Sequence, residues 1–226
     1  MCGRYALYGP RSHSRAEIDY FSSLKQFPGS WHVAPGQSLP VTRLRDGAVE
    51  QVTARWGLVP FFAKDEKTGY KCINARAETL ATSPAFREPY RNKRRCLVPA
   101  CGFYEWMKHP FGKRPYYITT ADDSLLAFAG LWDRWKQPDG QTLTTFTIIT
   151  TEPNELTAPL NNRMPLILDP SDYRTWLEAD DPRDLLKPCP AEMLRCFPVS
   201  SRVNSVKNDA PDLIAPARDS ARSLFG

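Results

Sequence analysis

The sequence predicts an α+β fold: one domain built on a curved, barrel-like, mainly antiparallel sheet with helices at its periphery. Three observations carry this expectation. Strand-like runs dominate and do not alternate regularly with helical ones. Two hairpin turn signals each join a pair of such runs. The chain also holds 21 prolines in 226 residues, nearly twice what average usage of about 5% gives, which favours short strands and turns over long helices. No internal repeat and no Gly/Ser linker divides the chain. The expected domain is 2–215, followed by a flexible C-terminal tail at 216–226.

In chain order, Ser14-Arg15-Ala16-Glu17 reads as a capping box opening a helix to about Phe27, with Ile18, Phe21 and Leu24 on its inner face. Strands Val41–Arg45 and Val49–Trp56 flank Asp46-Gly47, the strongest short hairpin signal. A further strand is expected over Cys96–Trp106 and another over Pro115–Thr120. Leu126–Trp135 and Leu143–Thr150 flank Pro138-Asp139-Gly140 as a second hairpin. Asp169 caps a second helix with Pro170 at its first position and Tyr173, Trp176 and Leu177 turned inward.

Composition narrows the class. Hydrophobic residues make up 42% and charged residues 24%, an ordinary globular mix. No apolar run approaches the ~18 residues of a membrane span, and no apolar signal core follows Met1. A soluble, cytoplasmic monomer with no membrane partner is therefore expected. The six cysteines are expected to be reduced, and none has zinc-ligand spacing to another cysteine or to a histidine. The expectation is no metal and no cofactor. A net charge of +5 permits a polyanionic partner without requiring one.

The common catalytic signatures are absent: no Gly-x-Ser-x-Gly elbow, no phosphate loop, no Gly-x-Gly-x-x-Gly, no His-Glu-x-x-His. Cys2 is the first unusual residue. Trimming of Met1 would leave an N-terminal cysteine with an α-amine (reference pKa about 7.7–8.0) beside a thiol (about 8.5), both partly nucleophilic at neutral pH. A 1,2-aminothiol condenses with an aldehyde to an imine, and the tethered thiol then closes a five-membered thiazolidine. Glu105, in an otherwise apolar and aromatic run, is either on an exposed strand end or buried with a raised pKa suited to proton transfer. Asn74, in Ile73-Asn74-Ala75-Arg76-Ala77-Glu78, is a poor strand former whose side chain either hydrogen-bonds a substrate or sits in a loop with a surface Arg76–Glu78 pair. Arg91-Asn92-Lys93-Arg94-Arg95 is either a solvated turn or a phosphate contact. Phe61-Phe62, followed by polar residues, reads as core or as an aromatic loop tip able to stack on single-stranded nucleic acid.

Taken together these segments resemble the SOS-response-associated peptidase family, also called the abasic-site processing family. The resemblance rests on Met1-Cys2-Gly3-Arg4-Tyr5, Val33-Ala34-Pro35-Gly36, Arg55-Trp56-Gly57-Leu58-Val59-Pro60, Ile73 to Glu78, Gly102-Phe103-Tyr104-Glu105-Trp106, Asn162-Arg163-Met164-Pro165, and Pro198-Val199-Ser200 with Val206-Lys207-Asn208. It implies binding of single-stranded DNA at abasic sites and a thiazolidine cross-link from Cys2 to the ring-opened sugar, with nucleoid association when bound to DNA. It further implies Glu105 as acid/base group, Asn74 as a hydrogen-bonding partner of the sugar or of Cys2, and Arg4 and Arg76 on flanking phosphates. Phe61 and Phe62 would wedge against bases, and Thr150 would lie close to the site. The alternatives are a cysteine peptidase limited to self-processing and a non-catalytic reader of single-stranded or modified DNA. One departure stands out: Asn161 occupies a position where the family usually has His, and Asn162 replaces an Asp. His32 stands where relatives commonly carry Asn, so an exchange of the two side chains around one site would restore the imidazole.

Overall fold

A computed structural model describes residues 2–9, 19–22, 24, 27–110 and 112–217. Twelve strands among them run in chain order as β1 (Tyr5–Leu7), β2 (Ser30–Val33), β3 (Ser38–Arg45), β4 (Ala48–Trp56), β5 (Asn74–Arg76), β6 (Arg95–Ala100), β7 (Gly102–His109), β8 (Gly112–Thr120), β9 (Leu126–Lys136), β10 (Thr142–Thr151), β11 (Met164–Pro165) and β12 (Leu194–Pro198). Short helices α1 (Arg87–Arg91) and α2 (Tyr173–Glu178) lie outside the sheets. None of the described helices is long and apolar enough to cross a membrane.

Strands β4, β3, β6, β9 and β10 form a closed barrel, with β10 returning to pair in parallel with β4 through Thr145↔Arg55 and Phe146↔Trp56. The remaining pairs around it are antiparallel. A second, antiparallel sheet runs β2-β1-β7-β8-β12. The two are joined through Tyr5, whose ring meets Trp56 at 5.1 Å and Phe128 at 6.0 Å inside the barrel. Trp56, Phe128 and Phe146 are completely buried, and burial of side chains this large is worth about 1.5–3 kcal/mol each.

Both hairpin signals are realised. Asp46 and Gly47 adopt positive φ (51° and 78°) between β3 and β4, the left-handed pair a tight hairpin needs. The expected Cys96–Trp106 strand is broken, however. Its first half is barrel strand β6 and its second half is β7 of the other sheet. The chain changes sheets at Cys101-Gly102, where Cys101 N–H donates to the Ala6 carbonyl (2.7 Å). A Cβ on Gly102 would lie 2.3 Å from the Tyr117 ring and 2.6 Å from the Ile118 carbonyl oxygen, so only glycine allows this crossing. Alternation within either half looks the same from sequence, which is why the break is silent there.

The Asp169 cap is present, its carboxylate accepting from Ser171 N–H (2.9 Å), and Tyr173, Trp176 and Leu177 are buried as expected. The capping box at 14–17 lies outside the described residues; Phe21 and Leu24 of that segment are buried. The basic run 91–95 is a solvated turn over Arg91, Asn92 and Lys93, all exposed, and turns inward only at its end. Arg95 is 2% exposed and donates to the carbonyls of Trp176 and Ala179 at the end of α2, while Arg94 pairs with Asp133 and Lys93 with Asp180. Of the expected flexible tail, Pro216 bridges Val199 and Ala217 N–H donates to the Pro198 carbonyl, so those two residues belong to the fold. All six cysteines are free.

Gly102→Ala is expected to destabilise the fold by about 1–3 kcal/mol, the usual range for overpacking. Urea unfolding would register this as a lower midpoint; an unchanged midpoint would show that the crossing has room for a methyl group.

Candidate active site

The site forms where the chain leaves the barrel and enters β7. Phe103 of β7 is in the core, and Glu105 two residues on is only 3% exposed. Its carboxylate accepts from Asn161 Nδ2 (2.8 Å) and from the Trp106 backbone N–H. Burial pushes the Glu105 pKa up despite these donors, because loss of water outweighs them. Cys2 is completely buried, with its thiol pointing to the Arg4 carbonyl (3.8 Å). Burial first, and the Glu105 charge second, drive its pKa far above the ordinary thiol range. The thiol therefore rests protonated.

Asn161 is oriented by its own neighbours. Its Oδ1 accepts from Arg163 N–H (3.3 Å), which leaves Nδ2 for Glu105. The turn before it is fixed by Asn154, which accepts from Thr157 N–H (3.1 Å) and Oγ1 (3.0 Å) and donates to the Cys189 carbonyl (3.1 Å). Arg163 then reaches back: its guanidinium holds Glu78 in a bidentate pair (2.6 and 3.0 Å) and donates to the Thr150 carbonyl. Sequence reasoning assigned no role to Arg163 or Asn154, and gave Glu78 only a surface pair with Arg76. The Asn-Arg-Met-Pro segment was visible as a motif, but nothing in it named Glu78 as the partner.

The other expected site residues are placed unevenly. Asn74 opens β5 opposite Ile148 of β10, and both atoms of its amide are buried without a hydrogen-bond partner among the described residues. A buried amide with all its capacity unused is costly, and this matches a side chain kept for a ligand. Arg76, opposite Thr150 of β10, is exposed; Glu78 pairs with Arg163, so the surface Arg76–Glu78 pair does not form. Arg4 is half-buried and donates to the Gly3 carbonyl (3.0 Å). Thr150 is completely buried with its hydroxyl turned to the Ala75 carbonyl (3.4 Å). That contact ties β5 to β10.

Phe61 and Phe62 are exposed and meet edge-to-face at 5.4 Å, so they are a loop tip and not core. Their loop is pinned to the barrel by Val59 N–H to Thr145 Oγ1 (2.9 Å) and Trp135 Nε1–H to the Ala63 carbonyl (2.8 Å). Thr145 and Ile148 are three residues apart on β10, which sets the loop base about 10 Å along the strand from Asn74.

His32 does not replace the missing imidazole. It is buried against Tyr104, ring centroids 5.8 Å apart, with Nδ1 on the Asn208 carbonyl (2.8 Å). Tyr104 and Glu105 are consecutive in β7 and face opposite sides of the sheet. Burial also holds the His32 pKa below its ordinary value, so the ring is neutral near pH 7. Among the described residues no group of His, Cys, Asp and Glu side chains is placed to hold a metal ion.

Fold and site together define a barrel-centred α+β protein with a buried cysteine–carboxylate pair at the edge of its second sheet. Residues 1–206 match the family model described as SOS response associated peptidase (SRAP), and the chain belongs to that family. It is 44% identical over 223 residues to abasic site processing protein YoqW of Bacillus subtilis, covering 95% of this chain and 99% of that one. It is 32% identical to abasic site processing protein HMCES of Gallus gallus over 96% of this chain and 78% of that protein. Among solved structures, a Bacteroides thetaiotaomicron protein superposes with TM-score 0.80 at 28% identity, covering 96% of this chain and all of its own.

The buried acid has a measurable consequence for stability. A carboxyl whose native pKa lies above its ordinary value of 4.5 binds its proton more tightly folded than unfolded. It therefore costs stability as pH rises from that ordinary value through the raised one. Glu105→Gln removes this cost. Its urea midpoint is expected to exceed that of the wild type at about pH 8 and to converge with it near about pH 4. A difference independent of pH would sink the buried-acid assignment.

Proposed function

We propose that the chain processes abasic sites in single-stranded DNA and, once Met1 is removed, links to them covalently through Cys2. The observation that carries this reading is the burial of the Cys2 thiol beside the Glu105 carboxyl, which Asn161 holds in place. The names of the relatives, as abasic site processing proteins, support the substrate class.

The chemistry balances without a cofactor. The ring-opened sugar carries an aldehyde at C1′. The Cys2 α-amine adds to that carbon, and protonated Glu105 gives its proton as the hydroxyl leaves as water, forming an iminium and a Glu105 carboxylate. The Cys2 sulfur then bonds to the same carbon, which neutralises the iminium, and its proton passes to that carboxylate. The product is a thiazolidine and one water, with no change of oxidation state. A raised Glu105 pKa favours the first step, because it enlarges the protonated fraction able to give the proton. The carboxylate it becomes is then the base for a thiol whose own pKa is high. Asn74 offers an unused donor and acceptor to the sugar hydroxyls or the hydroxyl at C1′. Arg76 and Arg4 supply cations for flanking phosphates, and Phe61 and Phe62 an exposed stacking surface.

Cys2→Ala is expected to abolish the covalent adduct with an abasic oligonucleotide while leaving non-covalent binding largely intact; intact mass and a denaturing gel read the two outcomes. Cys2→Ser keeps the amine and is expected to give an imine that borohydride traps. Peptide cleavage without an adduct would favour the peptidase reading, and neither product would favour a non-catalytic reader.

Asn161→His adds an ionisable donor on Glu105. General acid–base assistance is typically worth ~10²–10⁴ in rate, so single-turnover adduct formation or reversal is expected to accelerate. His32→Ala is expected to leave the pH profile of the reaction unaltered; a lost inflection near the ordinary His pKa would instead place that ring in the chemistry.

A further inference from the structure

Glu105 and Asn161 open onto a groove of about 920 Å³ that continues along β7 to Lys108 and across to Lys113 of β8. The two lysines are direct cross-strand partners in the β7–β8 hairpin, and both are exposed. Like charges in this register repel and weaken a hairpin. No carboxylate among the described residues pairs with either of them. Among the groove's described lining residues Glu105 is the one carboxylate, and it is 3% exposed. The other polar residues there, Asn161, Asn162 and Asn204, are neutral. A cleft lined by one sign of charge concentrates the opposite sign.

β7 pairs with β1 only at Phe103 and Gly102, so its edge beyond Glu105 is not covered by a strand and faces the groove. Lys108 lies three residues past Glu105, about 10 Å along the strand and on its other face, so the groove reaches it around the open β7 edge. An isolated small anion would not need a track leading from a buried thiol–carboxyl pair to a lysine pair; a phosphate chain attached to the reacting sugar does. We infer that the Lys108–Lys113 groove holds the backbone of the lesion-bearing DNA strand on one side of the abasic site. This rests on the abasic-site reading above and adds the path of the strand to it. Phosphates between the two ammonium groups would relieve their repulsion, so the charge arrangement that weakens the free hairpin becomes favourable on binding.

The test is the salt dependence of single-strand binding by the Lys108→Ala/Lys113→Ala variant. Each lost phosphate contact lowers the slope of log K against log salt by about 0.7 for single strands. The wild type is therefore expected to lose about sevenfold more affinity than the variant between 50 and 200 mM salt. Lys136→Ala/Lys187→Ala, which removes the same charge off the groove, controls for net charge. Oligonucleotides extended only 5′ or only 3′ of the lesion are expected to reveal the effect on one side alone. An unchanged slope, an equal effect on both sides, or the same loss in the control variant would overturn the assignment. Covalent adduct is scored in the same wild-type samples. Its absence there would count against the abasic-site reading itself, whereas an intact adduct with an unchanged slope would count against the lysine groove alone.

Discussion

One strand carries most of the constraints in this molecule. β10 pairs with β9 and β4 to close the barrel, and beyond the end of β4 it pairs with β5 on the same edge. Its far end pairs with β11, Thr150 and Thr151 facing Pro165 and Met164. The position of Asn74 is thus fixed by the same backbone that fixes Met164, and Arg163 stitches the two together through Glu78 and the Thr150 carbonyl. The excursion between β4 and β5 has both ends nailed to β10: Gly57 N–H donates to the Phe146 carbonyl (2.8 Å) and Ile148 N–H to the Ile73 carbonyl (3.2 Å). A loop so held can present Phe61 and Phe62 to solvent without its base moving.

Glu105 reaches this frame from the other sheet. The crossing at Gly102 leads into β7, and three residues later the chain buries an acid. Hydrogen bonds from Asn161 and Trp106 N–H favour its carboxylate, but burial outweighs what favours the charged form. The result is a group more easily protonated than an Arg-paired glutamate. Glu78 illustrates the contrast: the bidentate Arg163 pair holds its pKa below the ordinary value, and its role is to position, not to exchange protons.

Much of the fold was legible because its signals are local. Asp46-Gly47, Pro138-Asp139-Gly140 and Asp169-Pro170 each specify a turn or cap through the residues themselves. The split of the Cys96–Trp106 run was not legible, because the reason for it is the distance from Gly102 to Tyr117 and Ile118 on a strand ten residues later. The site shows the same division. Cys2, Glu105 and Asn74 could be singled out as residue types out of place in their surroundings. Thr150 could not be separated from a surface contact, and the His32 exchange looked plausible, because the face on which a side chain points depends on strand register across the whole sheet. Within Arg91–Arg95 only Arg95 departs from the solvated reading, for a related reason: its carbonyl partners at the end of α2 are distant in sequence.

The substitution at Asn161 follows from the same electrostatics. A histidine there, when charged, would stabilise the Glu105 carboxylate and pull its pKa down; a neutral amide does so only through one hydrogen bond. Glu105 therefore stays the more easily protonated for having Asn161 beside it, and with His32 confined to the opposite face of β7 it is the titratable group the site has to work with besides Cys2. In the proposed chemistry the same carboxyl must give a proton to the departing hydroxyl and then accept one from the thiol. Those two transfers run in sequence and in opposite directions, so a single group whose pKa is raised towards neutrality serves both. A second ionisable side chain adds speed where it is present, but the proton count closes without it.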